Sequence, residues 1–219
     1  MPRRRRRDTA AQVEAARRVG VHDPRVLAAV AAVPRDHFVP AQARSQAHED
    51  RPISIGAGQT TSQPSLIAAM LAALALTGNE RVLEVGTGFG YQTALLAHLA
   101  AEVYSIERIA PLAAQARDNL ASIGITGVEV VVGDGTRGLP EHAPYDAIVV
   151  SAAALDVPRS LTDQLVDGGR LVAPVGPDAW QEAVLFTRVG DELERTRRLT
   201  AVRFVPLIAD EPPRRAGAP

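Results

Sequence analysis

The chain has 219 residues, 46% of them apolar, and its 24 basic side chains nearly balance 25 acidic ones for a formal net charge of -1. That composition excludes a disordered chain, which carries few apolar residues and a large net charge, and it suits one domain burying roughly 70% of the surface its unfolded chain exposes. With no cysteine and no lysine anywhere, disulfide scaffolds, thiolate metal sites, cysteine nucleophiles and lysine Schiff bases are excluded together.

Five consecutive arginines, residues 3–7, open the chain, and without them 19 basic groups face 25 acidic ones, a body of net -6. The run reads as a disordered arm over residues 1–7. No apolar stretch follows that would make it an export signal, because Glu14, Arg17 and Arg18 interrupt residues 8–19. The longest apolar run, residues 67–76, is too short to span a bilayer, so a soluble, cytoplasmic protein without a membrane partner is expected.

Val13, Ala16 and Val19 lie at helical spacing, and Asp23 before Pro24 predicts a second, capped helix that Pro34 stops. Residues 34–64 carry Pro34, Pro40, Pro52, Pro64, Gly56 and Gly58 and read as a long irregular segment, which is uncommon unless it builds a site. SLIAAMLAALAL (65–76) predicts a buried helix. Strand-like RVLEV (81–85), EVYSI (102–106), VEVVV (128–132), DAIVV (146–150) and RLVAPV (170–175) then alternate with helices over 91–99, 111–123 and 158–165. That alternation predicts an α/β fold with a doubly wound parallel sheet. After Trp180 come three strand candidates, 182–189, 192–199 and 202–207, the first two joined at Gly190 and Asp191 as an antiparallel edge hairpin. Residues 8–208 are therefore expected to form a single domain, an N-terminal extension over 8–64 on a core over 65–208, followed by a flexible tail over 209–219.

In VLEVGTGFGY (82–91), Gly86, Gly88 and Gly90 let the backbone turn at the end of the first core strand, where doubly wound sheets bind nucleotides. The G-x-G-x-G spacing differs from the pyrophosphate-cradling G-x-G-x-x-G, and Glu84 adds a negative charge that suits a cationic ligand. Glu107 ends the second strand, where an acid can accept both ribose hydroxyls, and Asp134 with Gly135 follows the third, where a carboxylate can meet an adenine amino group and a glycine leaves room for the ring. Each acid alone fits a solvated strand end. The three in register fit a ligand with an amino group, a ribose, an adenine and no phosphate, which is S-adenosylmethionine. In the loop, Gln59, Thr60, Thr61, Ser62 and Gln63 offer uncharged groups that could hold a carboxylate without neutralising it, although Thr61 or Ser62 could instead cap the helix that starts near Pro64.

Several segments, in order, resemble the protein-L-isoaspartate O-methyltransferase family. They are VPRDHFVP (33–40), the D-x-P-x-x-I-G-x-G-Q-T-x-S-Q-P loop (50–64), V-L-E-V-G-T-G-x-G-Y (82–91), SIER (105–108), GDG (133–135), P-Y-D-A-I-V-V-x-A-A (144–153), G-G-R-L-V-x-P-V-G (168–176) and VRFVPL (202–207). The G-Q-T-x-S-Q-P loop and the terminal F-V-P-L are particular to that family. The resemblance implies a Rossmann-like methyltransferase fold and methyl transfer from S-adenosylmethionine to the α-carboxylate of an isoaspartyl residue in a damaged protein or peptide. The ester then collapses to a succinimide and returns some aspartate.

On this resemblance Ser62 orients the substrate carboxylate, and Gln59, Thr60 and Thr61 line the cofactor with Ser62, Glu84, Gly86, Gly88, Glu107, Asp134 and Gly135. Residues 203–207, including Arg203 and Val205, pair with the substrate chain. No general base is expected, since a carboxylate with a pKa of about 4 is already ionised at neutral pH. No metal is called for, and a monomer is expected. The chain differs from many members at Ala57, Thr61 and Ser65, where His, Ile and Tyr are frequent, and at His48, Phe89 and Ser151. Two other readings are a relative that esterifies an ordinary aspartate in a dedicated peptide to give an aspartimide, and an RNA-directed methyltransferase steered by residues 3–7. The acidic body and the SAAA sequence at 151–154, where a base-amine motif would stand, argue against the RNA-directed reading.

Overall fold

The computed structural model describes residues 3–210, with side chains from Thr9 onward. Helix α1 spans Arg3–Arg18 and α2 spans Pro24–Ala32. The arginine run expected as a disordered arm instead forms the first turns of α1, in keeping with the good helix propensity of arginine and the absence of Gly or Pro from the helix. Asp23 caps α2 as its sequence predicts, accepting from the backbone N–H of Arg25 at 2.8 Å. Of the expected tail, Ala209 and Asp210 are described, and residues 211–219 lie outside the described residues.

The proline- and glycine-rich segment is less irregular than its composition suggests. Two 3-10 turns, Arg35–Phe38 and Ala41–Gln46, lead into an antiparallel ribbon of β1 (Ile53–Gly56) and β2 (Gln59–Thr61), with Ile53 opposite Thr61. Its turn is left-handed at Gly56, Ala57 and Gly58, with φ of 90°, 52° and 72°, which the two glycines adopt without a side-chain penalty. Helix α3 then runs over Pro64–Ala73, shorter than expected, because the chain turns left-handed at Ala75.

The central sheet has seven strands: β3 (Arg81–Val85), β4 (Glu102–Glu107), β5 (Val128–Val132), β6 (Tyr145–Val150), β7 (Leu165–Val175), β8 (Gln181–Val189) and β9 (Glu192–Val202). Their order is β5-β4-β3-β6-β7-β8-β9. β3 to β7 are parallel, and β8 and β9 add antiparallel at one edge, so the doubly wound sheet and its edge hairpin stand as expected. Helices α4 (Tyr91–Leu96), α5 (Ala110–Ser122) and α6 (Arg159–Asp163) fill the crossovers. α6 is shorter than expected because Leu165 already belongs to β7.

Strand alternation sorts β3 into two faces. Val82 joins the core shared with α2, α3, α4 and α5, while Leu83 and Val85 join the opposite core with Leu161 of α6. Glu84 therefore falls on the face of Val82, against α4. β3 and β6 are neighbours at the point where the winding reverses, and their carboxyl ends frame the crevice in which such sheets bind ligands.

Residues 202–207 do not form the third strand that their apolar pattern predicts. β9 ends at Val202, and the following segment crosses the carboxyl ends of the sheet as a strap. Ala153 N–H donates to Val205 O at 2.8 Å and Leu207 N–H donates to Ala153 O at 2.7 Å. Pro206 lies between them and, having no N–H, could not have continued a ladder. Among the described residues, no helix is long and apolar enough to cross a membrane.

Candidate active site

The crevice at the end of β3 opens into a cavity of about 900 Å³ including its mouth. One wall is the glycine turn, where Gly86 has φ of 96°, a conformation that L side chains rarely adopt. Glu107, at the end of β4, has both carboxylate oxygens pinned: Gly88 N–H donates to Oε2 at 2.9 Å and Ile109 N–H to Oε1 at 3.0 Å. Glu107 lines the cavity, and each oxygen keeps acceptor capacity beyond these bonds, as a vicinal diol requires. At Gly135 a Cβ would stand 2.5 Å from Val85 Cγ1, so any side chain would displace the floor. Val85, Ile106, Leu207 and Ile208 line the cavity around that glycine, giving a flat ring apolar walls. A pinned carboxylate, a glycine gap and aliphatic walls fit an adenosine group.

The other wall comes from the ribbon. Gln59, Thr60, Thr61 and Ser62 line the cavity, and Thr60 and Ser62 also line a second, adjoining cleft of about 1450 Å³ including open space. That cleft runs past Ser65 and Ala69 of α3 to the end of β9 and the strap, with Arg203 and Val205 on its side. The two spaces share Thr60, Ser62, Ser151 and Val205. Among the described residues no group hydrogen-bonds the Ser62 hydroxyl. Capping by Thr61 or Ser62 is not what the structure shows: the residue before α3 is Gln63, without a side-chain cap, and Asp50 reaches in to accept from Ser65 N–H at 2.9 Å.

Arg35 fixes this loop. Its side chain is buried, and its guanidinium donates to Glu49 O, Arg51 O and Ser62 O at 3.0 Å each and to Ala47 O at 3.4 Å. Burial lowers its pKa to about 10, with Tyr91 and Asp50 opposing the shift, so it stays charged at neutral pH. The carbonyl of Ser62 is thus tied to the core in a residue that lines both cavities.

The model of the protein-L-isoaspartate(D-aspartate) O-methyltransferase family matches residues 7–212. The chain belongs to this family. A protein-L-isoaspartate O-methyltransferase of Methanoculleus marisnigri is 55% identical over 189 residues, 86% of each chain. One from Rhodopseudomonas palustris is 54% identical over 193 residues, 88% of this chain and 79% of its own. A solved protein-L-isoaspartate O-methyltransferase superposes with a TM-score of 0.79 at 30% identity over 90% of this chain and 65% of its own. A solved Plasmodium falciparum protein-L-isoaspartate O-methyltransferase in complex with S-adenosyl-L-homocysteine shares the fold, with a TM-score of 0.81 at 23% identity over 92% of this chain and 98% of its own.

Within this isoaspartate methyltransferase fold, the cavity collects Gln59, Thr60, Thr61, Ser62, Gly86, Gly88, Glu107, Gly135 and Val205 from the residues expected of it. Arg203 lines the adjoining cleft only. Two acids fall elsewhere. Glu84 is fully buried and accepts from Gln92 Nε2 at 3.0 Å, from Ser105 Oγ at 2.6 Å and from Thr93 Oγ1, so it lies behind the wall instead of on it. Burial pushes its pKa up to about 7 against the lowering effect of those hydrogen bonds. Asp134 is buried too and accepts from Thr136 N–H, Thr136 Oγ1 and Asp210 N–H. Burial alone would raise its pKa, yet these bonds hold it below the usual carboxylate range. Its place is to cap the turn that presents Gly135, and the strap reaches it through Asp210.

Arg35, Gln92 and Ser151 are site residues to which sequence reading assigned no role. Arg35 and Ser151 stand inside the runs that carry the family resemblance, but neither shows its partners until the chain folds.

Proposed function

We propose that the protein is a repair enzyme that transfers a methyl group from S-adenosylmethionine to the α-carboxylate of L-isoaspartyl residues in damaged proteins and peptides. The reading rests on one observation: a cavity suited to adenosine and an adjoining cleft lined by residues 199–205 share Ser62. S-adenosylmethionine, when bound, supplies an electrophilic methyl group on a sulfonium, and the substrate carboxylate takes it. Glu107 would bind the ribose hydroxyls, and Gly135 would leave space for the adenine. The Ser62 hydroxyl would orient the carboxylate without neutralising it, and the ribbon and strap would exclude water. No side chain has to remove a proton, because the nucleophile is ionised at neutral pH. Positioning and water exclusion carry the rate.

An extended peptide in the cleft would lie along the backbone of residues 203–207, which supports tolerance of varied flanking sequence. A cytoplasmic, monomeric enzyme belongs to the same proposal, checked for mass by light scattering. The central test uses labelled S-adenosylmethionine with an isoaspartyl peptide and its aspartyl twin. Label is expected on the isoaspartyl peptide alone, and equal labelling of both, or of neither, rejects the reading. In the same assay Ser62→Ala is expected to lower turnover far more than cofactor affinity. Loss of cofactor binding instead would make Ser62 a cofactor ligand.

A further inference from the structure

Ser151 stands directly after β6, at the crevice. Its backbone N–H donates to Val85 O at 2.8 Å, and its Cβ lies 3.2 Å from where a Cβ on Gly86 would be. It lines both the adenosine cavity and the peptide cleft, as Ser62 does. Behind it lies a chain of hydrogen bonds whose direction is fixed while Glu84 is ionised. Gln92 Nε2 donates to Glu84 Oε1 at 3.0 Å and to Ser151 Oγ at 2.9 Å. An amide nitrogen has two N–H groups, so both are used, and flipping the amide would set its oxygen against a carboxylate oxygen. Ser105 and Thr93 donate to the other oxygen of Glu84 and hold that carboxylate in place. Ser151 Oγ is therefore an acceptor toward Gln92. Its own O–H, which bonds no acceptor among the described residues, is left for the junction.

We propose that Ser151 is a second substrate-positioning hydroxyl, donating its O–H to the α-carboxylate oxygen that does not take the methyl group. Ser62 and Ser151, from opposite walls, then fix the carboxylate plane between them. A hydroxyl suits this task because it orients the anion and leaves its charge intact for attack, which an arginine placed there would not do. Glu84 has its place in this scheme as the group that orients Gln92.

The inference rests on the methyltransferase reading, and its test separates the two. Steady-state methylation of the isoaspartyl peptide is measured for wild type, Ser151→Ala and Ser151→Thr, with binding of S-adenosylhomocysteine by calorimetry. Ser151→Ala is expected to lower kcat/KM by about tenfold or more, the worth of one hydrogen bond to a charged group. Ser151→Thr, which keeps the hydroxyl, is expected to restore most of it, and S-adenosylhomocysteine affinity is expected to stay at the wild-type value in both. Unchanged kcat/KM in Ser151→Ala overturns the proposal, and so does a loss traced to weakened S-adenosylhomocysteine binding. An inactive wild type would instead reject the methyltransferase reading. Should Ser151→Ala fail to fold, Ser151→Cys keeps the volume with a weak donor: a comparable loss supports the proposal, and full activity overturns it.

Discussion

Glu84 shows how one side chain can look like a ligand contact in sequence and act through its neighbours in the fold. It sits two residues before the glycine turn, yet strand alternation sends it into the core, where it meets Gln92, Thr93 and Ser105. Its burial makes a pH signature. In the unfolded chain Glu84 releases its proton near the ordinary value of 4.5, whereas the folded chain holds it up to about 7. Between those values the unfolded state binds fewer protons, so this group's contribution to stability falls as pH rises from about 4.5 to about 7 and is level above. The total is on the order of 3 kcal/mol. Glu84→Gln is expected to remove that slope. Thermal melts of both proteins from pH 5 to pH 8 check it, since groups common to both cancel in the difference. Parallel curves would mean that Glu84 is ionised throughout.

The ribbon and its flanking turns depend on Arg35 in the way that a strand depends on its neighbours. Replacing it with lysine keeps a charge but not a planar fork able to reach four carbonyls, so Arg35→Lys is expected to cost about 3 kcal/mol. Hydrogen exchange should accelerate in residues 47–62 and stay unchanged in β3 and β6. Uniform acceleration would show that Arg35 supports the core generally. The same segment marks where sequence reading stops. The alternating strands and the glycine turn were readable because buried parallel strands are continuous apolar runs punctuated by glycine. The ribbon was hidden because its strands are four and three residues long, below any periodicity, and its geometry is set by an arginine 12 residues or more away. The strap was misread because VRFVPL has the composition of a strand, and only tertiary bonds to Ala153 decide otherwise. Glu107 and Gly135 were readable as residues of the crevice from their place after strands. Asp134, expected there on the same ground, instead bonds Thr136 and Asp210, one close by and one 76 residues on, and only the fold brings those partners to it.

Across the molecule, the cavity draws walls from residues as far apart as Ile55 and Ile208, so occupancy should stabilise the whole domain. S-adenosylhomocysteine at a hundred times its Kd is expected to add about 2.7 kcal/mol. For a chain of this size that raises Tm by roughly 5–10 °C. Scanning fluorimetry checks it, and a dinucleotide such as NAD, which needs a pyrophosphate cradle, should leave Tm unmoved; the opposite pattern would reassign the cavity. The four bonds of Arg35 all end on main-chain carbonyls. A grip on the backbone is indifferent to which side chains the gripped residues carry, so Glu49, Arg51 and Ser62 can change side chain without releasing it. Scaffolding and selectivity are thereby uncoupled, and the loop is a place where a new acceptor preference could be engineered at little risk to folding.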